Sequence, residues 1–133
     1  ITPHFMEASR ILNKDINILK NNRLKGCIEL ARYTGCTAVL KGPASIISNG
    51  DLSYINTSGN SGLATAGSGD VLSGIIGALM NRNISPIEAV AAGVYIHGLC
   101  ADLFSKTSLA STMSASDIVD NIRAAIKLQT AKN

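Results

Sequence analysis

An α/β sandwich is the fold this sequence predicts, and three observations predict it. Amphipathic helical stretches alternate with short apolar, strand-like runs over residues 1–55, and helices follow one another after that. Hydrophobic residues make up 46% of the 133 residues and charged ones 16%, enough apolar surface for the core of one ordinary domain. Asn49-Gly50 stands between two apolar runs, a strong hairpin signal.

Thr2-Pro3 reads as an N-cap and the first helical residue, with apolar positions through Leu12. A second helix is expected from about Ile16 to Tyr33, its stripe including Leu19, Cys27, Ile28 and Ala31, and Gly35 closing it as a C-cap. Gly26 lies inside that helix with no local reason. "TAVL" (37–40) reads as a short buried strand running into Lys41-Gly42-Pro43, and "SIISNGDLSYI" as two strands around Asn49-Gly50. After a glycine-rich loop, a helix is expected over about Val71–Asn81. The next begins with Ser85 as N-cap, Pro86 in the first turn and Glu88 completing a capping box. Its small apolar interior suits burial on most sides or a subunit interface. "SDIVDNIRAAIKL" places Ile118, Val119, Ile122, Ala125 and Ile126 on one face of a last helix.

Composition excludes some functions. Aromatics are 4% with no Trp, and the net charge of +3 comes from scattered lysines and arginines, so no nucleic-acid partner is expected. Cys27, Cys36 and Cys100 are too few and too spread for a disulfide framework or zinc site and read as buried, reduced thiols. Nothing at the start reads as a signal peptide, and runs such as "VLSGIIGALM" are about half a membrane span, so a soluble cytoplasmic protein with no membrane partner is expected. The chain opens on "ITPHFMEASRIL" without an initiator Met, in what reads as a strand end entering a helix, and is expected to be a piece of a longer polypeptide.

The chemistry concentrates in "NTSGNSGLATAGSGDVLSGIIGAL", residues 56–79. No glycine there precedes Lys-Ser or Lys-Thr in the frame of a P-loop. Gly67-Ser68-Gly69 opens a dinucleotide fingerprint, but Leu72 stands where its third glycine belongs. What remains is a turn whose amides, at Gly67, Ser68 and Gly69, face a concavity ahead of a helix, where unpaired N–H groups and the helix dipole receive anions. Asp70 at that point suits acceptance of a hydroxyl proton while the amides hold a phosphoryl group. Taken alone, Asp70 fits an ordinary N-cap equally well.

Three stretches, in order, resemble one family. "GNSGLATAGSGDVLSG" is similar to the signature of the ADP/ATP-dependent NAD(P)H-hydrate dehydratases, the YjeF carboxy-terminal family of the ribokinase-like fold. "ITPHFMEASRIL" resembles its T-P-H-x-x-E segment and "VLKGPASII" its nucleotide-contacting K-G-P stretch. The chain departs from the pattern at Phe5-Met6, where the family usually has Pro-Gly. The resemblance covers nearly all of residues 1–133, but only the carboxy-terminal half of the family's domain. It implies half of a three-layer α/β/α sandwich with a mainly parallel sheet and a hairpin.

Members of that family repair NADH or NADPH whose ring has gained water, by phosphorylating the ring hydroxyl from ADP or ATP and eliminating phosphate. The resemblance implies Asp70 as catalytic base, with His4 and Asp70 contacting the hydrated dinucleotide. It implies Lys41, Gly42, Pro43, Ala44, Ser45 and Gly69 at the nucleotide, Asn60 along the same loop, and Glu7 near Mg²⁺ through water. It further implies a homo-oligomer, a tetramer or larger, and the amino-terminal half of the domain as a partner. Singly, each residue has a plainer role: His4 in a first helical turn, Glu7 as a dipole-stabilised acid, Lys41 as a strand-end charge, His97 in a core or interface. A sugar or vitamin kinase of the same fold and a non-catalytic half-domain are the competing expectations.

Overall fold

The computed structural model describes residues 1–130. Helices α1 (Phe5–Leu12), α2 (Ile16–Asn21) and α3 (Arg23–Thr34) precede strands β1 (Ala38–Leu40), β2 (Ile46–Ser48) and β3 (Ser53–Ile55), and α4 (Ser68–Met80), α5 (Pro86–Phe104) and α6 (Ala115–Thr130) follow. Both sheet faces are covered. Side chains alternate across a strand, so Ala38, Leu40 and Ile46 pack against Leu19, Cys27, Leu30 and Ala31 on one side. Val39 and Ile47 pack on the other against Leu72, Ile87, Val90 and Val94. That is the three-layer arrangement expected, and it explains why β1 and β2 are buried at every position.

The expectation of a mainly parallel sheet needs correction. β1 pairs with β2 and β2 with β3, both antiparallel, because the connections of 41–45 and 49–52 are too short for a crossover. The parallel element is the extended segment 1–3. Val39 N–H donates to Ile1 O at 2.8 Å and Lys41 N–H to Pro3 O at 2.9 Å, while Ile1 N donates to Thr37 O at 2.9 Å. Thr2 and Pro3 therefore belong to the sheet, and the cap of α1 falls to His4.

The helix expected over 16–33 is two helices, broken at Asn22 (φ −138°, ψ 64°). Gly26 acquires its reason there: a Cβ would stand 3.0 Å from Leu19 Cδ2, so the glycine lets α3 close over α2. The hairpin loop has four residues, with Asn49 Oδ1 accepting the Asp51 and Leu52 N–H groups at 3.1 and 2.8 Å. α4 begins at Ser68, three residues earlier than expected.

α5, at 19 residues, is by length and composition long and apolar enough to cross a membrane. Nine of its residues are nonetheless buried within the fold, and Cys100 and Ala101 join Met113, Ile118 and Ala125 in a third core. On α6, Ile118 and Ala125 are buried as expected, whereas Val119 and Ile126 are exposed. Cys27 and Cys100 are buried free thiols; Cys36 is exposed. Burial pushes the Cys100 thiol up to about 11, which suits an inert core residue.

Candidate functional site

The parallel pairing of segment 1–3 with β1 delivers the start of α1 beside the end of β1. His4 Nδ1 accepts the Glu7 N–H at 3.2 Å, and His4 N–H donates to Glu7 Oε2 at 2.7 Å. This is a capping box with histidine in the place of Ser or Thr. Lys41 Nζ stands 4.0 Å from Glu7 Oε2. The hydrogen bond from His4 N–H, reinforced by the charges of Lys41 and Arg10, holds the Glu7 carboxyl below its usual range.

After Lys41 the chain turns sharply. Gly42 has φ +156° and Ala44 φ +49°, a left-handed conformation costly for a residue with a Cβ. Three groups hold it. Ser45 Oγ donates to Gly42 O at 3.1 Å, and Arg23 Nη2 donates to Ala44 O at 2.9 Å. Phe5 packs on Gly42, where a Cβ would lie 3.0 Å from its Cε2, and the Arg23 guanidinium lies 5.7 Å from the Phe5 ring centre. The residue that departs from the family pattern is thus part of the support for this turn. Neither Arg23 nor Phe5 was foreseen in that role, since both act across the fold.

The third component is the glycine turn. Gly67, at φ +82°, caps α4, and Ser68, Gly69 and Asp70 form its first turn. Ser68 departs from the expected anion hole: its N–H is committed to Thr65 O at 3.3 Å and the residue is buried. Among the described residues, the Gly67 and Gly69 N–H groups have no acceptor, so the hole is narrower than the three amides expected. A Cβ on Gly69 would lie 3.6 Å from Lys41 Nζ, which places the ammonium against this turn. Asp70 is exposed, one residue beyond Gly69.

The structure therefore brings His4, Glu7, Lys41 and Gly69 together. Asn60 points elsewhere: its Nδ2 donates to Asp102 Oδ1 at 3.2 Å and to Ser105 Oγ at 3.0 Å. Asp102 also accepts the Gly59 N–H at 2.8 Å, and Ser58 Oγ donates to Tyr95 O at 2.8 Å. The loop crosses α5 at Gly98, where a Cβ would overlap Ser58 Oγ. Half of the glycine-rich stretch is thus structural anchoring. His97 is buried in α5 as expected, but its ring reaches the first turn of α4.

No three of His, Cys, Asp and Glu gather as a metal cage among the described residues. Glu7 is the carboxylate nearest Lys41. Magnesium arriving on a nucleotide needs only one or two carboxylates besides phosphates and waters, so this donor set fits that mode of binding.

The sequence profile of the NAD(P)H-hydrate dehydratase family matches residues 1–124. The chain belongs to that family. It is 38% identical over 125 residues to the ADP-dependent (S)-NAD(P)H-hydrate dehydratase of Neisseria meningitidis, covering 92% of this chain and 42% of that protein. It is 38% identical over 124 residues to the bifunctional NAD(P)H-hydrate repair enzyme Nnr of Escherichia coli, covering 92% and 24%. The Bacillus subtilis ADP/ATP-dependent NAD(P)H-hydrate dehydratase co-crystallised with ATP/Mg²⁺ superposes with a TM-score of 0.90 at 33% identity, covering 95% of this chain and 46% of that one. A hydroxyethylthiazole kinase from Pyrococcus horikoshii, at 18% identity and TM-score 0.76, shares the fold. The chain spans less than half the length of these dehydratases.

Proposed function

We propose that this chain carries the phosphoryl-transfer machinery for ADP- or ATP-dependent dehydration of hydrated NADH and NADPH. The observation that carries the reading is the convergence of Lys41 Nζ on both Glu7 and Gly69. A cation, a turn with two unpaired amides and the adjacent carboxylate of Asp70 are the parts that move a phosphoryl group.

In this reading Asp70 takes the proton of the ring hydroxyl as its oxygen attacks the terminal phosphorus of the nucleotide. The shortened nucleotide departs, and the new phosphate ester then breaks at its C–O bond, phosphate leaving with the electron pair while the adjacent ring carbon gives up a proton to water and the ring double bond returns. Lys41 and the Gly69 N–H hold the transferred group, while Gly42, Pro43, Ala44 and Ser45 form the rigid turn under the nucleotide. His4, fixed by its cap bonds, faces the dinucleotide. Glu7 is the residue that would hold nucleotide-borne Mg²⁺ through water; the ion would neutralise phosphate charge.

The test uses the full polypeptide with Mg²⁺ and hydrated NADH, giving ADP and ATP in separate reactions. Recovery of the reduced-nicotinamide absorbance is expected, and Asp70→Asn is expected to lose about 10²–10⁴-fold in kcat, the range of a general base. Wild-type speed in that variant removes Asp70 from the chemistry. A phosphorylated ring that accumulates instead of NADH makes the protein a kinase.

A further inference from the structure

His97 is the buried polar side chain of α5, 6% exposed, and the chemistry above does not use it. Its Nε2 lies 3.0 Å from Ser68 O and 3.2 Å from Ser68 Oγ. A carbonyl oxygen only accepts, so the geometry assigns the proton to Nε2, with Nδ1 bare. Burial, together with the nearby charge of Lys41, lowers the pKa of the ring below its ordinary value, against the opposing pull of the bond to Ser68, and so favours the neutral ring.

The position of this contact matters. Ser68 is the first residue of α4, immediately before Gly69 and Asp70. Gly67 and Gly69, on either side of it, have no side chains that could fix the turn. The Ser68 N–H closes the local turn onto Thr65 O, which ties it only to its own loop. The His97 bond ties it to a different element, 29 residues on.

We propose that His97 is a positioning residue for the phosphate-binding turn: from α5 it holds Ser68 by its main chain, and so sets where the Gly69 N–H and the Asp70 carboxylate stand. The consequence for catalysis rests on the dehydratase reading. The mechanical part does not, and the two are tested separately.

Ring ¹⁵N chemical shifts of the wild-type full-length protein decide the tautomer without any variant. The Nε2–H form is expected for His97, and an Nδ1–H form overturns the proposal. Two substitutions then follow. His97→Gln keeps a donor near the Nε2 position, whereas His97→Leu fills the space without one. With Leu, the Asp70 and Val71 amides are expected to exchange hydrogen at least tenfold faster, and with Gln at close to the wild-type rate.

In turnover of hydrated NADH, Leu is expected to lower kcat about ten- to a hundredfold, less than outright deletion of an oxyanion donor, with the nucleotide KM within about twofold. Gln is expected to restore most of that loss. Equal kcat and equal exchange in the Leu variant and wild type, or a Gln variant as impaired as Leu, overturns the proposal. A wild-type protein inactive on the hydrate sinks the dehydratase reading while the exchange and tautomer results still decide the role of His97.

Discussion

Glu7 is held by its own helix before it meets any ligand. Its carboxylate accepts the His4 N–H and faces Lys41, and these contacts depress its folded-state pKa. A carboxyl with a lowered folded pKa stabilises the fold in full above the unfolded value, about pH 4.3, and that contribution fades as pH falls through the folded value. Thermal unfolding followed from pH 6 to pH 3 is therefore expected to show a shallower acid decline in Glu7→Gln than in wild type, with the two curves differing most above pH 4.3. Parallel curves at all pH values would mean that the cap does not persist in solution. The box at Glu88, where Ser85 donates, was legible in the sequence because Ser85-x-x-Glu88 is a local pattern. The one at His4 was not: Thr2-Pro3 fits the same local rule, and only pairing with β1, 36 residues away, overrides it. The burial of His97 is legible in the sequence, but its partner and the roles of Asp102 and Arg23 are not, since each acts on a segment brought near by the fold.

At the scale of elements, the glycines divide by what surrounds them. Gly98 sits where α5 meets the loop, and a Cβ there would stand 2.7 and 2.8 Å from the Ser58 carbonyl carbon and oxygen. Those are backbone atoms and cannot swing aside. Gly98→Ala is expected to destabilise by about 1–3 kcal/mol, as overpacking does, and to displace the loop that leads into the site. Gly74 and Gly77 lie in α4 with nothing within 4 Å of an added Cβ. There alanine removes backbone entropy from the unfolded chain, and each change is expected to stabilise by about 0.5–1 kcal/mol. Denaturant unfolding of the three variants separates these signs; a destabilised Gly74→Ala would mean that the exposed face of α4 is covered in solution. The same packing logic explains the misread helix boundary. Leu19, Cys27 and Ala31 do join one buried cluster, while Ile28, expected with them, is only half-buried; Gly26 on Leu19 demands two helices crossing closely, and Asn22 provides the break.

On the scale of the whole molecule, the sheet of the described residues has two unpaired edges. β3 is an edge strand, with Ile55 59% exposed. The far side is different in kind. Segment 1–3 donates to and accepts from β1 on one flank, and its other flank borders an open groove of about 470 Å³ lined by Ile1, Thr2, Pro3, Glu7, Arg10 and Ile11. Apolar residues and Glu7 share that groove, so whatever fills it lies against the candidate site. The dehydratases to which this chain is similar are more than twice its length, and an open parallel edge is where further strands add. Residues 1–133 expressed alone are therefore expected to turn over hydrated NADH at least a hundredfold more slowly than the chain joined to a preceding half-domain of such a relative. Mixing the two separate halves is expected to recover part of the rate, with saturation as the second half is titrated. Full turnover by residues 1–133 alone would show that Asp70, Lys41 and the glycine turn suffice, and that the groove beside Glu7 contributes nothing to holding the hydrated ring.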